Sequence, residues 1–355
     1  MTTVELGLPE LGGMDLVPRT ELPDRPAGFK SDQEVRWCPG CGDYAVLNAV
    51  QSFLPTLGLQ RENIVFISGI GCSSRFPYYL ETYGMHSIHG RAPAIATGLA
   101  IGRPDLSIWV VTGDGDALSI GGNHLIHALR RNVNIKILLF NNRIYGLTKG
   151  QYSPTSEVGK VTKSTPLGSL DNPLNPVSLA LGAEATFVGR AMDSDRKGLT
   201  EVLTAAAQHR GAALVEIYQN CPIFNDGAFD ALKDVGSAPQ HLIQLRAGEP
   251  IIFGPERKFA VVRDEVTGGL TVGRGDQVDR SRIVVHDPTR PDPSQAFALS
   301  RISGGSAEYA VTGVIRNVVA PAYDDAVRHQ AAEATTRMPT DLEALITGKE
   351  TWTVK

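Results

Sequence analysis

The chain has 355 residues, of which 42% are hydrophobic and 20% charged, a composition that excludes a disordered or fibrous protein. Its length allows two domains or one large α/β domain with an appendage, and its net charge of −4 offers no basic field for nucleic acid. Residues 1–30 carry Glu5, Glu10, Asp15, Glu21 and Asp24 and no long apolar run, so no secretory signal or membrane span is expected there and a cytoplasmic location is.

Residues 1–34, rich in glycine and proline, read as an N-terminal arm packed on a neighbour. Residues 35–245 read as the main domain. Helical spacing over 45–54 precedes an apolar strand over 64–68, and the pattern then alternates between helices (92–100, 123–131, 176–181, 195–209) and strands (108–112, 135–140, 185–188, 213–218). Such alternation predicts an α/β fold, a mostly parallel sheet with helices on both faces. Residues 246–355 read as a C-terminal extension. Short β-like pieces over 254–293 are broken by Gly268, Gly269, Gly273, Gly275, Pro288, Pro291 and Pro293, and a helix is expected over 322–345.

The strand over 108–112 runs into Gly113-Asp114-Gly115-Asp116, and the next strand ends in Asn141-Asn142, with 25 residues (116–140) between Gly115 and Asn141. A right-handed crossover brings Asp114 and Asn142 together at the carboxyl ends of two parallel strands, where open α/β sheets bind ligands. A carboxylate, an amide oxygen and a nearby backbone carbonyl are hard oxygen ligands suited to Mg²⁺ that also holds a diphosphate. Gly113 and Gly115 let backbone approach a phosphate, and the N-terminus of the following helix, from about Ile120, offers unpaired amides. Gly-Asp-Gly alone would be an ordinary turn after a buried strand. A dinucleotide fingerprint fails at Leu118 and lacks the acidic residue expected about 20 positions later. The whole pattern resembles the thiamine diphosphate signature, which implies metal ligands at Asp114, Asn142 and the Ile144 carbonyl, with Gly115, Asp116 and the loop Tyr145, Gly146, Leu147 and Thr148 around the diphosphate.

Each of the four cysteines sits beside a glycine, a proline or a turn: Cys38 and Cys41 in Trp37-Cys-Pro-Gly-Cys-Gly42, Cys72 in Gly69-Ile70-Gly71-Cys72-Ser73-Ser74, and Cys221 before Pro222. Four thiolates in loops suit either Zn²⁺ or a 4Fe-4S cluster. One Cys-x-x-Cys rather than two puts zinc second, and a cytosolic setting disfavours disulfides. A thioredoxin-like pair would need a preceding strand that the chain has little room for. Cys72 and Cys221 as small buried hydrophobes remain open on spacing alone.

Taken in order, 37–44, 69–74, His89-Gly90-Arg91 and the Gly113-to-Asn142 signature resemble the β subunit of the 2-oxoacid:ferredoxin oxidoreductases over about residues 35–245. The resemblance implies a thiamine diphosphate-binding fold with Mg²⁺ and one 4Fe-4S cluster on Cys38, Cys41, Cys72 and Cys221. It also implies cofactor contacts along Gly71, Cys72, Ser73 and Ser74, with His89 bonding the cofactor or moving a proton. The thiazolium ring is then the electron sink for decarboxylation, electrons pass singly to iron and sulfur, and coenzyme A takes the acyl group. No pyrimidine-binding half is visible, so activity is expected only with an α subunit in an (αβ)₂ heterotetramer, with ferredoxin as electron acceptor. Arg75 matches a position where the family places a cation for the substrate carboxylate, and Leu147 one that lines the pocket. An arginine there suits the distal carboxylate of 2-oxoglutarate, giving succinyl-CoA in the citric acid cycle; pyruvate or a branched 2-oxoacid is the alternative, and a non-enzymatic Cys₄ zinc module the alternative of another class. Arg75 in a surface ion pair or a phosphate contact, and His89 as a packed core residue, are the plainer readings. His86, His124 and His127 read as structural, and Gly313-Val314-Ile315-Arg316 resembles a closing segment of the family.

Overall fold

The computed structural model describes residues 8, 10–21, 24–234, 236–302, 308–337, 341–348, 352 and 354. The start of the predicted arm, residues 22–23, and the stretches 303–307 and 338–340 of the extension lie outside the described residues. Eight strands form the main sheet: β1 (Ile64–Ser68), β2 (Tyr83–His86), β3 (Ser107–Gly113), β4 (Lys136–Asn141), β5 (Phe187–Met192), β6 (Ala213–Tyr218), β7 (Leu242–Gln244) and, from the far end of the chain, β11 (Ala310–Asn317). Their order is β2-β1-β3-β4-β6-β5-β11-β7, with β11 antiparallel to β5 and the other pairings parallel. β8 (Ile252–Phe253), β9 (Phe259–Arg263) and β10 (Leu270–Arg274) make a separate antiparallel sheet from the predicted β-like pieces.

The central strands are buried along their length because helices cover both faces, which is why they read as continuous apolar runs. Alternate residues feed opposite cores. Ile108, Val110, Ile137 and Leu139 meet α2 (Ala92–Gly102) and its neighbours, whereas Trp109, Val111, Leu138 and Phe140 face the core of α1 (Asp43–Phe53). The described part of the arm joins that second core through Met14, Val17 and Phe29, so it packs on its own chain.

Three expectations are corrected. The strand expected over 185–188 is β5, shifted to 187–192. Gly189 and Arg190 look like strand breakers, yet a Cβ on Gly189 would lie 2.7 Å from the Val202 side chain of the covering helix, and Arg190 is neutralised by Glu216. The helix expected from about Ile120 is α4 (Gly122–Arg130), and a short helix that was not expected, α3 (Asp114–Leu118), precedes it, so the amides beside the ligand crevice belong to α3. The helix over 322–345 is two segments, Tyr323–Arg337 and Leu342–Thr347. No described helix is long and apolar enough to cross a membrane.

Candidate active site

The chain passes from β2 at one edge over β1 to β3, so the sheet's switch point lies between β1 and β3, and the crevice outside their carboxyl ends is where such a sheet binds ligands. A cleft opens there. Gly71, Cys72 and Ser73 line it from the loop after β1, Gly113, Asp114, Gly115 and Asp116 from the end of β3, and Asn142 and Ile144 from the end of β4. His89 and the loop Tyr145, Gly146, Leu147 and Thr148 complete the wall. Gly113 pairs with Phe140 in the ladder, which sets the ends of β3 and β4 level and brings the two halves of the predicted signature to one wall. Gly71, at φ +137°, has open space where a side chain would stand, and Gly115 packs so closely on Tyr145 that a Cβ would lie 2.2 Å from its ring. Ser74 is buried away from the cleft, its Oγ without a partner among the described residues.

Asp114 is, with Asp116, one of two buried acids in the cleft wall. Its Oδ2 accepts from Ser153 Oγ at 2.5 Å and Thr155 Oγ1 at 2.6 Å, while burial pushes its carboxyl up from 3.8 to about 6 against those two hydroxyls. Thr155 Oγ1 also lies 2.9 Å from Asn141 Oδ1, Asn141 Nδ2 donates to Glu216 Oε1 at 2.7 Å, and Arg190 Nε donates to Glu216 Oε2 at 2.7 Å. A continuous buried polar chain thus joins Asp114 to an ion pair in the sheet centre. Sequence reading missed Ser153 and Thr155. The signal was the Ser-Pro-Thr-Ser turn at 153–156 directly after a glycine-bearing loop, but nothing local says that it folds back on Asp114. Thr155→Val, which keeps the shape and removes the hydroxyl, is expected to weaken Mg²⁺-dependent thiamine diphosphate binding by about tenfold, as measured by titration calorimetry.

Asp116 binds loops together. Its Oδ1 accepts from the Ile70 and Gly90 backbone N–H groups at 3.1 and 2.8 Å and pairs with His89 Nδ1, and Oδ2 accepts from Thr112 Oγ1 at 2.7 Å. This contact assigns the proton to Nδ1 of His89 and leaves Nε2 as its other polar atom. The carboxylate also explains Gly69, where a Cβ would lie 1.8 Å from Asp116 Oδ2. Asn142 Oδ1 accepts from the Ile144 N–H at 3.1 Å, and its backbone carbonyl accepts from Asn225 Nδ2 at 2.9 Å. Arg75 lies one turn beyond Cys72 and outside the cleft lining. Its Nε donates to Tyr79 Oη at 3.0 Å, and its terminal nitrogens make no hydrogen bond among the described residues.

The four thiols share one neighbourhood beside Gly146: Cys72 feels the charge of Cys221 and Cys38, and Cys41 that of Cys72 and Cys221. A Cβ on Gly146 would lie 3.6 Å from both Cys72 Sγ and Cys221 Sγ. The Cys38–Cys41 turn closes through a Cys41 N–H to Cys38 carbonyl bond of 3.1 Å, and the Cys221 turn is held by Asp193, which accepts from the Asn220 N–H at 2.8 Å. Burial pushes the Cys72 thiol up to about 12, with the Asp43 carboxylate and then Cys221 and Cys38 adding to the effect. Cys41 is raised in the same way, by burial first and by Asp43 next. Such thiols ionise only when a cation compensates them, so loading a metal centre here releases protons. Among the described residues no three His, Cys, Asp or Glu side chains lie close enough to share a single ion; a cubane cluster interposes its own atoms and holds its thiolates farther apart.

Residues 69–217 match the family model of the C-terminal TPP-binding domain of thiamine pyrophosphate enzymes. The chain is 67% identical to the 2-oxoglutarate oxidoreductase subunit KorB of Mycobacterium tuberculosis over 99% of this chain and 94% of that protein. The chain belongs to the 2-oxoacid:ferredoxin oxidoreductase β subunits. Among them, the 2-oxoglutarate synthase subunit KorB of Methanocaldococcus jannaschii is 35% identical over 70% of this chain and 89% of its own. A solved structure of 2-oxoglutarate:ferredoxin oxidoreductase from Magnetococcus marinus, with 2-oxoglutarate, coenzyme A and succinyl-CoA bound, superposes with a TM-score of 0.72 at 34% identity, covering 93% of this chain and 98% of that one. The oxidoreductase family and the thiamine diphosphate-binding fold expected from the motifs are therefore those of this β subunit.

Proposed function

We propose that the chain is the β subunit of a cytoplasmic 2-oxoglutarate:ferredoxin oxidoreductase that works with an α subunit in an (αβ)₂ heterotetramer. The complex converts 2-oxoglutarate and coenzyme A to succinyl-CoA and CO₂ with reduction of ferredoxin, a citric acid cycle step. The observation that carries this reading is the buried carboxyl of Asp114 and the Cys72 thiol in the wall of one cleft, with the Cys221 thiol beside the same Gly146 and Cys38 and Cys41 within reach of their charge. Full-length likeness to a 2-oxoglutarate oxidoreductase subunit supports the choice of substrate.

In this reading Asp114, Asn142 and the Ile144 carbonyl hold Mg²⁺ and its diphosphate, while Gly71, Ser73, Gly113, Gly115 and the 145–148 loop approach the phosphates closely. Cys38, Cys41, Cys72 and Cys221 hold a 4Fe-4S cluster; Cys72 and Cys221 flank Gly146, and the raised thiols of Cys41 and Cys72 would ionise against such a cation. When bound, thiamine diphosphate supplies the electron sink for decarboxylation and the cluster a one-electron acceptor. Asp116 fixes His89 so that Nε2 is free to hold or pass a proton. Leu147 contributes apolar wall at the exposed rim. The terminal nitrogens of Arg75, which make no hydrogen bond among the described residues, are the group for the distal carboxylate.

Co-expression with the α partner and anaerobic purification test the reading. The complex is expected to be brown, to contain iron, and to reduce an artificial acceptor only with coenzyme A and a 2-oxoacid. A colourless zinc protein, or one with no such activity, would overturn it. Arg75→Ala is expected to raise KM for 2-oxoglutarate by about 10- to 100-fold, the loss of a charge-assisted pair, and to change KM for pyruvate little. Equal changes for both substrates would leave Arg75 no part in selection.

A further inference from the structure

One neutral side chain bonds to both halves of the site. Gln219 follows β6 directly, is 1% exposed, and is anchored by its own N–H, which donates to the Asn141 carbonyl at 3.0 Å. Its Oε1 accepts from Asn142 Nδ2 at 2.9 Å. Its Nε2 donates to Cys41 Sγ at 3.2 Å and to the Asn220 carbonyl. The orientation of this amide follows from its partners. A carbonyl only accepts, so the nitrogen of Gln219 must lie on the Asn220 side; Asn142 Oδ1 takes the Ile144 N–H, so the NH₂ of Asn142 must face Gln219 Oε1.

We propose that Gln219 is a positioning residue that couples the metal-diphosphate site to the cysteine site. By holding Asn142 Nδ2 it turns Asn142 Oδ1, which has a second lone pair, toward the cation. By donating to Cys41 Sγ it draws charge from that sulfur. Hydrogen bonds to ligand sulfurs stabilise the more negative, reduced form of an iron-sulfur cluster and raise its potential. The proposal rests on the reading of Asn142 as a Mg²⁺ ligand and Cys41 as a cluster ligand.

Two variants of the anaerobically purified complex, Gln219→Leu and Gln219→Glu, separate the two contacts. The readouts are the dissociation constant of thiamine diphosphate with Mg²⁺ and the cluster midpoint potential from a redox titration followed by electron paramagnetic resonance. Gln219→Leu keeps most of the volume and removes both contacts. It is expected to weaken binding at least about tenfold and to shift the reduction equilibrium about tenfold toward the oxidised cluster, about 59 mV for one electron. Gln219→Glu keeps an acceptor for Asn142 and places an oxygen against the sulfur, so binding is expected to stay within about threefold of wild type while the potential falls as far or farther. Potentials equal to wild type in both variants, at full iron content, would overturn the coupling, as would unchanged binding in Gln219→Leu. If Gln219→Leu does not assemble, the split between the two readouts in Gln219→Glu decides alone. Failure of the underlying reading looks different: wild-type complex without iron, or without Mg²⁺-dependent cofactor binding.

Discussion

Asp114→Ala is expected to leave a folded chain that no longer binds thiamine diphosphate with Mg²⁺, an affinity loss beyond the roughly 10- to 100-fold typical of groups that only support a metal ligand. The fold survives because the change removes a buried anion as well as its bonds. Ser153 and Thr155 lose the acceptor they share, but Thr155 keeps Asn141 Oδ1 at 2.9 Å and Ser153 keeps the Thr155 hydroxyl at 3.2 Å, so the cost is about 1 kcal/mol, which urea denaturation would read. The same carboxylate sets a pH dependence. Burial raises it from 3.8 to about 6, so the folded, metal-free chain holds this proton more tightly than the unfolded one. The stability gained from that proton is fully present below 3.8 and is lost as pH rises through about 6. Metal binding runs the other way, since Mg²⁺ needs the ionised form: its affinity is expected to fall as pH drops below about 6, with proton release on binding, measurable by calorimetry in buffers of different ionisation enthalpy. Cofactor affinity retained in Asp114→Ala, or Mg²⁺ binding indifferent to pH across this window, would remove Asp114 from the ligand set.

Arg190→Met is expected to be the most destabilising single change in the sheet, at about 3–5 kcal/mol in urea denaturation. Glu216 is fully buried in the middle of β6, and Arg190 on the neighbouring strand β5 is its only cation partner among the described residues. The guanidinium also lies over the Tyr218 ring, 5.0 Å from its centroid, and Tyr218 in turn stacks on Phe229. Methionine fills the space and leaves the carboxylate without its counter-charge. The double variant Arg190→Met with Glu216→Met is expected to recover most of the loss, because only neutral groups, Asn141 Nδ2 and the Val311 carbonyl, then lose a side-chain partner. A loss below about 1 kcal/mol in the single variant would show that the pair is not held as buried charge. Since Asn141 lies between this pair and Thr155, the single variant is also expected to weaken Mg²⁺-dependent cofactor binding, and the double variant to restore it only partly.

Several elements were legible because their signals are short-range. The runs Ile64–Ser68 and Ala213–Tyr218 are strands at their predicted bounds, since burial on both faces keeps each run apolar apart from Ser68 at one end and the ion-paired Glu216. β2 was not legible. It is a short edge strand with Tyr83, Gly84, Met85 and His86 all exposed, so it has no buried face to impose alternation on its sequence. β11 escaped for a different reason: the extension reads as separate in composition, and only the register with β5 shows that residues 310–317 complete the main sheet.

The sequence by itself determined the chemistry of the site: a Gly-Asp-Gly turn at one strand end, paired asparagines at the next, and four cysteines in loops. Those signals survive in one dimension because a strand end and its turn obey local backbone rules. Only the tertiary structure decided which neutral groups serve that chemistry. Ser153 and Thr155 reach Asp114 across 39 and 41 residues, and Gln219 reaches Asn142 across 77 and Cys41 across 178. A serine, threonine or glutamine is compatible with surface, turn or core alike. Its partner is set by the order of strands in the sheet, a long-range outcome of packing that no local pattern encodes.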